Sequence, residues 1–482
     1  MTRTTRVINF GQNIDFNPAN YYEPKSESEL LDILNHHHGD QIRVVASKHA
    51  WSNAIVTTHV LISMRHFQGV KVDRSSGEPS ATVGGGTQIK TILAELQKEE
   101  LTTPSVGLIT EQTIAGAIST GTHGSGKHSL SHYIDRMRIA CYSADGKTAE
   151  IREVASGLEI EAARCGLGCL GVIVSVTFRC IPQYWVTEKA TPCDSIDEAL
   201  SLEERSPLQQ FFLLPHLWKY IVQERSVSAE SKSSSGAWLY RIYWFLSLDI
   251  GLHLGVIGFA RYLKSRRLVR FLFRTVLPNT TFPKWIVTDR SDKMLVMEHE
   301  LFRHLEIELF VGQSKVVLAA DFVKQVLQFA NGDREAVDAV WQTRLEEFGM
   351  SAEFQTLFGT YCHHYPICFR RIFADETLIS MSAGEEPCWY SISFITYVQP
   401  REPFFKLGAF LARSMAKLFG ARPHWGKWFP LGGDEVALLY PRLPDFRDQC
   451  VKFDPNGVFL NQYVRTVCQM RSNESEGRSV GQ

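Results

Sequence analysis

The chain has 482 residues, 44% hydrophobic and 21% charged, with a formal net charge of −1. That length suggests two or three domains with ample core, and the near-neutral charge argues against a polyanion binder, so no nucleic-acid partner is expected. Ten cysteines occur without a CxxC pair, which fits reduced thiols in a reducing, cytoplasmic setting and predicts no metal site.

The first thirty residues carry charges and no apolar core of signal-peptide length, so no cleaved targeting segment is expected. No internal repeat is visible. Residues Tyr21 to His37 read as an extended entry and an amphipathic helix, capped by Ser26 or Ser28 with acidic residues in its first turn. IRVVAS follows as a short buried strand that ends in a polar turn. VLISM, GVKVDR and SATVGGG continue the strands. IKTILAELQKEE is a helix with Ile89, Ile92, Leu93 and Leu96 on one face. Arg136 to Arg152 and Gly171 to Arg179 read as further strands, making the first 185 residues an α+β unit. Beyond Gln183 come a Ser-rich loop, an apolar aromatic run from Ala237 to Leu263, and the basic stretch KSRRLVRFLFR. Residues after Val467 read as disordered.

Two segments suit a phosphate-bearing cofactor. Val44 to Asn53 is a buried strand that ends in small and polar residues, where backbone N–H groups can meet a pyrophosphate and Lys48 adds charge. Ala115 to Gly126 is rich in Gly, Ser and Thr, which permits close backbone approach. Either alone reads as an ordinary Gly-rich turn, and neither is a GxGxxG fingerprint.

With KHAWSN, AGAISTGTHGSG, GLGCLGVIVSVTF, ARPHWGK and FDPNGVFLNQYV, the chain resembles the aldonolactone and alditol oxidase branch (gulonolactone oxidase-like, arabinonolactone oxidase-like) of the vanillyl-alcohol oxidase flavoproteins. The resemblance runs from about Tyr21 to Val464. It implies a two-domain α+β fold of the vanillyl-alcohol oxidase/p-cresol methylhydroxylase type: an FAD-binding domain over 1–185 completed by 438–467, a mixed-sheet substrate or cap domain over 186–437 with an apolar insertion at 237–274, and a disordered tail over 468–482. It also implies FAD held by Ser47, Lys48, His49, Ala50, Ser52, Ser105, Gly107, Thr113, Ala115, Gly116, Ser119, Thr120, Gly121, His123 and Gly124, with Gly171, Val172 and Ile173 on the adenine side. His49 falls where this branch bonds a histidine covalently to the flavin. The surrounding Ala-Ser-Lys-His-Ala lacks the branch's glycines and its serine, which leaves that bond open.

On the substrate side, hydride removal from an alcohol needs a proton acceptor and positive charge near the flavin. Lys427 and Arg370 read in isolation as surface charges. By resemblance they match the lysine of HWGK and the arginine of a Glu-x-Arg pair, and Thr396 matches a substrate-contacting threonine. The glutamate of that pair is Cys368 here, and a substrate-contacting serine is Ala117. A thiol grips hydroxyls poorly, so Glu306 and Glu308 are alternative carboxylates, though both also read as ordinary strand positions. The expected substrate is a sugar lactone or polyol. O2 or another acceptor takes the electrons, and Gly107 falls where oxidases of this family keep a small residue. A dehydrogenase of the same fold and a degenerate flavin binder are the competing readings. The insertion carries Arg241, Asp249, His253 and Arg261, too polar for a clean span. It fits either amphipathic helices on a membrane surface or partner subunit, or a buried helical pair.

Overall fold

The computed structural model describes residues 5–470 apart from 76, 281–283, 298–300 and 398. The N-terminal unit is built on two sheets. A parallel one orders Asn20–Tyr22, Val60–Ser63 and Ile42–Val45. An antiparallel one orders Ala149–Val154, Ile134–Tyr142, Val172–Arg179, Ser80–Gly84 and Val70–Asp73. The helix Glu27–His36 starts where Ser26 caps the Glu29 N–H and buries Leu30 and Leu34. The helix Ile89–Lys98 buries Ile89, Ile92, Leu93 and Leu96, the stripe its spacing predicts.

The C-terminal residues return to this unit. The Ile42 N–H donates to the Val458 carbonyl, and Asn461 Nδ2 donates to the carbonyls of Asn53 and Val56 at 2.9 and 2.8 Å. The tail expected to be disordered from 468 stays packed further: Cys468 is buried and its carbonyl accepts from Arg447 Nε at 2.7 Å. Residues 471–482 of that tail lie outside the described residues.

The second unit is an eight-stranded sheet in the order Val287–Arg290, Trp185–Cys193, Tyr220–Val227, Gln210–Leu213, Ile367–Phe373, Cys388–Thr396, Leu305–Gly312, Arg422–Pro423. Its described pairings are all antiparallel, which corrects the expectation of a mixed sheet. Neighbours such as Gln210–Leu213 with Tyr220–Val227, and Ile367–Phe373 with Cys388–Thr396, are joined as hairpins, and a hairpin dictates antiparallel pairing.

Register decides which side chains reach the first unit. Glu306 pairs with Ile395, Glu308 with Ser393, and Ser393 with Cys368 on its other side. Directly paired residues share a face. Ile307, the residue between them, points oppositely: a Cβ on Gly408 of the helix Glu402–Phe419 would come within 1.9 Å of its Cδ1. The sheet therefore buries its odd-numbered Leu305–Val311 positions under helices and turns Glu306 and Glu308 toward the first unit.

Candidate cofactor and substrate site

The loop after Ile42–Val45 is clamped from several sides. The Phe10 N–H donates to the Lys48 carbonyl, Asn9 Nδ2 to the Ala50 carbonyl, and the Trp51 N–H to the Gly426 carbonyl at 2.7 Å. Lys48 adopts φ +59, the left-handed turn that brings the next residue round. His49 stacks on Phe10 with ring centroids 5.0 Å apart, and Trp51 Nε1 donates to the His304 carbonyl. This loop, the turn at Gly85, the short helix Ile114–Ser119 and the segment Leu167–Ile173 enclose a cleft of about 1040 Å³.

One wall of the cleft is small and polar: Ser47, Gly85, Thr113, Ala115, Gly116, Ser119 and Thr120. The inner end is apolar, with Ala54, Ile55, Leu167 and Ile173, and the outer end carries His49, His424 and Lys427. A flat heteroaromatic group fits the apolar end, a pyrophosphate the Gly- and Ser-lined middle, and a second ring system the outer end. The backbone there tolerates no bulk: a Cβ on Gly85 would lie 2.2 Å from the Ile173 carbonyl oxygen, and one on Gly171, at φ +134, 2.2 Å from that of Ala140.

At the outer end the sheet face supplies the charges. Lys427 Nζ is bonded to a Glu306 carboxylate oxygen and lies 4.3 Å from the centroid of the Trp51 ring. Glu308 lies 3.2 Å from His123 Nε2, and both side chains are 2% exposed. His123 Nδ1 already lies 2.9 Å from the Gly124 carbonyl, which can only accept. Both ring nitrogens of His123 thus face acceptors, the Gly124 carbonyl and the Glu308 carboxylate. Nε2 is close to Oε1 but not aligned on it, so Oε1 has no aligned donor. Burial raises the Glu308 carboxyl, and the neighbouring His123 outweighs it and holds the group well below the usual carboxylate range. Burial pushes His424 down to about 3 despite Glu308, so its ring is neutral, with Nδ1 accepting the Gly426 N–H at 3.0 Å. The ligand atoms of His123, Glu308 and His424 lie within 4.8 Å of one another, a grouping the sequence spacing does not reveal.

Two buried hydroxyls on the same sheet face, Ser391 and Ser393, have no hydrogen-bond partner in the structure. With Glu308 Oε1, they leave buried polar atoms on this sheet face without a partner among the described residues, and such atoms call for a bound group or water. Arg370 donates from Nε to Gln210 Oε1 at 3.0 Å and lines a neighbouring pocket of about 400 Å³. Beside it, burial pushes the Cys368 thiol up to about 11 against the pull of Arg370, so it is protonated at neutral pH.

Of the expected cofactor residues, Ser47, Lys48, His49, Ala50, Thr113, Ala115, Gly116, Ser119, Thr120, Gly171 and Ile173 line the cleft, while Ser105 and Gly124 line the smaller pocket. The others serve from behind. Val172 packs into the core with Val60 and Ile62, so its side chain points away from the cleft. Ser52 is buried beside Tyr463, and Gly121, at φ +75, abuts Met381. At Gly107 a Cβ would meet the Thr122 methyl at 2.6 Å, so packing alone requires glycine there. Thr396 must be corrected. It occupies the opposite sheet face from Glu306, buried, with its hydroxyl 3.0 Å from His364 Nε2.

The sequence reading missed Arg43, Gly85 and His424. Arg43 is fully buried at the cleft floor, donating to the carbonyls of Ala54, Leu167 and Phe459 and so joining three chain segments. Its signal was a lone charge inside an otherwise apolar strand.

Residues 176–467 match the D-arabinono-1,4-lactone oxidase family and residues 18–152 an FAD binding domain. Over 471 residues the chain is 45% identical to a long-chain alcohol oxidase of an uncultured marine euryarchaeote, covering 97% of this chain and 98% of that one. It is 26% identical over 470 residues to the L-gulonolactone oxidase of Mus musculus, covering 95% and 97%. Among solved structures, cholesterol oxidase from B. sterolicum superposes with a TM-score of 0.74 at 15% identity, over 96% of this chain and 97% of that one, a likeness of fold. The chain therefore belongs to the D-arabinono-1,4-lactone oxidase family, in the aldonolactone oxidase branch of the vanillyl-alcohol oxidase flavoproteins, and is an FAD-dependent oxidoreductase.

Proposed function

We propose that the protein oxidises the CH–OH group of a primary alcohol with an apolar tail, with O2 as the electron acceptor and hydrogen peroxide as product. One observation carries this reading: the positions flanking the Lys427–Glu306 pair on this face are a protonated thiol and apolar side chains. The acid–base machinery is the Lys427–Glu306 pair. The position two strands away that would grip further hydroxyls is the neutral thiol Cys368, and its directly paired neighbour on the other side is Phe212. Ile395 lies opposite Glu306 on the same face. The high identity to a long-chain alcohol oxidase supports the same substrate class.

FAD, when bound in the cleft, supplies the hydride acceptor. The Glu306 carboxylate takes the hydroxyl proton, and the Lys427 ammonium stabilises the negative charge that develops beside it. The Lys427 ammonium sits over the Trp51 ring, a cation–π contact that helps fix its position. His49 carries the flavin covalently in this reading, so acid precipitation is expected to leave yellow colour with the polypeptide, and His49→Ala to release it to the supernatant. Colour in the wild-type supernatant defeats the covalent link and leaves FAD binding standing.

A second reading, a sugar lactone or polyol, is favoured by the polar row Gln210, Arg370, Ser391 and Ser393 on the same face. Peroxide release with a panel of long-chain alcohols, alditols and aldonolactones separates the two. Long-chain alcohols are expected to be the better substrates, and Cys368→Glu to shift turnover toward alditols. Efficient alditol turnover by the wild type rules out the apolar-tail assignment.

A further inference from the structure

The helix Ala237–Tyr262 runs for 26 residues at a mean hydropathy of 1.5, and only 17% of its apolar window is buried. At 1.5 Å per residue it is ~39 Å long, enough to cross a bilayer. It does not stand free of the protein, however. Tyr240 near its start packs with Val186 and Val287, and Leu252 and Val256 in its second half pack with Leu214 and Phe273. A helix fastened to the sheet domain at both places lies along the surface of the protein. Wide turns at Phe245–Leu252 and Ile257–Tyr262 let it follow that surface.

Its outer side is apolar. Trp238, Ile242, Leu246 and Leu254 recur at multiples of four residues and are 59%, 44%, 57% and 55% exposed, which places them in one stripe. Phe271, on the following helical segment, is exposed as well. Soluble proteins seldom leave a patch of this kind open to water. The turn beside it is strongly basic: Arg261, Lys264, Arg266 and Arg267 are exposed. Asp249 is the sole acidic residue between 237 and 279. Apolar side chains at one level with cations around them match the boundary between acyl chains and anionic headgroups.

The buried side of the same helix reaches the site. The His253 ring stacks on Phe302 with centroids 4.9 Å apart, and its Nε2 lies 2.6 Å from the Tyr397 hydroxyl. Tyr397 meets His304 at 5.5 Å, and His304 meets Trp51 at 5.3 Å. Trp51 lies under Lys427. One aromatic wall thus runs from the exposed helix to the catalytic pair.

We propose that the Ala237–Tyr262 helix and its basic turn seat the protein in the headgroup layer of an anionic bilayer, and that the aromatic wall beneath admits the apolar alcohol from that bilayer to the Lys427–Glu306 pair. The docking stands on the exposed stripe and the basic turn, while the delivery rests on the alcohol reading above.

The test uses the full-length holoprotein with vesicles of phosphatidylcholine, alone or mixed with phosphatidylglycerol. Wild type is expected to float with the mixed vesicles, more weakly at high salt, because salt screens the attraction of each surface cation to the anionic headgroups. The triple variant Trp238→Ser/Leu246→Ser/Leu254→Ser is expected to bind at least ~tenfold more weakly, having lost most of its insertable apolar area. Its FAD content and its turnover of detergent-dispersed long-chain alcohol stay at the wild-type level, while its turnover of alcohol embedded in vesicles falls. Wild type that stays at the bottom of the gradient overturns the docking, as does a triple variant that floats equally well. A concentration-dependent dimer abolished by the triple variant, with no flotation, overturns it in favour of a second copy of this chain. Flotation without turnover of any long-chain alcohol overturns the delivery and the alcohol reading while leaving the docking intact.

Discussion

Lys427→Ala is expected to slow reduction of the bound flavin by the alcohol by at least ~hundredfold, equivalent to about 3 kcal/mol of lost transition-state stabilisation, with FAD retained. The ammonium lines the cleft, bonded to Glu306, whereas Arg370 lines the neighbouring pocket and is engaged by Gln210. Glu306→Gln should also slow reduction, by ~10²–10⁴, the range of a positioned base. Because the two act as a unit, the double variant should be little slower than the slower single variant. Lys427→Ala also strands a buried carboxylate, so the double variant should melt at a higher temperature than Lys427→Ala alone. Stopped-flow reduction and thermal unfolding of the four proteins check both statements. Wild-type reduction rates in Lys427→Ala place the chemistry elsewhere.

The second large effect is on stability. His123→Phe is expected to destabilise the holoprotein by ~3–5 kcal/mol, because it leaves the Glu308 carboxylate buried without its partner. Adding Glu308→Gln removes the stranded charge and should recover part of the loss, the signature of a coupled pair. The same pair sets an acid limit. Burial raises the Glu308 carboxyl, but His123 beside it lowers it by more, so its folded value lies well below the usual range. Below the unfolded value of about 4.3, the unfolded chain binds the proton more readily than the folded one. The stabilisation is therefore complete above that pH and disappears as pH falls toward the folded value. Wild-type melting temperatures should drop across that acid window, and those of the double variant should drop less. Parallel acid profiles in the two would show that Glu308 is not held by His123.

Much of this was legible in the sequence because it depends on local pattern. The Ile89, Ile92, Leu93, Leu96 stripe needs only the helical period, and Ser26 as a cap needs only the residues after it. The loop around His49 and the Gly-rich run after Thr113 were readable because close backbone approach selects small residues. What was not legible depends on register. A strand flips its faces with every residue, so assigning Thr396 to the site was off by one position from Ile395, which does face Glu306. The partnership of Glu308 with His123 joins residues far apart in sequence, and no spacing announces it. Glu306 and Glu308, readable as outward positions on a strand, are buried because the sheet presses that face against the cofactor unit. Arg43 clamps carbonyls from three distant segments, and only the folded chain shows why a cation belongs in that strand.

The most direct test of the central claim is an anaerobic titration of the purified holoprotein with a long-chain primary alcohol, read as flavin absorbance. The account predicts that the flavin bleaches, that colour returns on admission of O2 with release of hydrogen peroxide, and that Lys427→Ala bleaches at least ~hundredfold more slowly. Flavin that stays oxidised with the alcohol, yet bleaches readily with an aldonolactone or alditol, would contradict it.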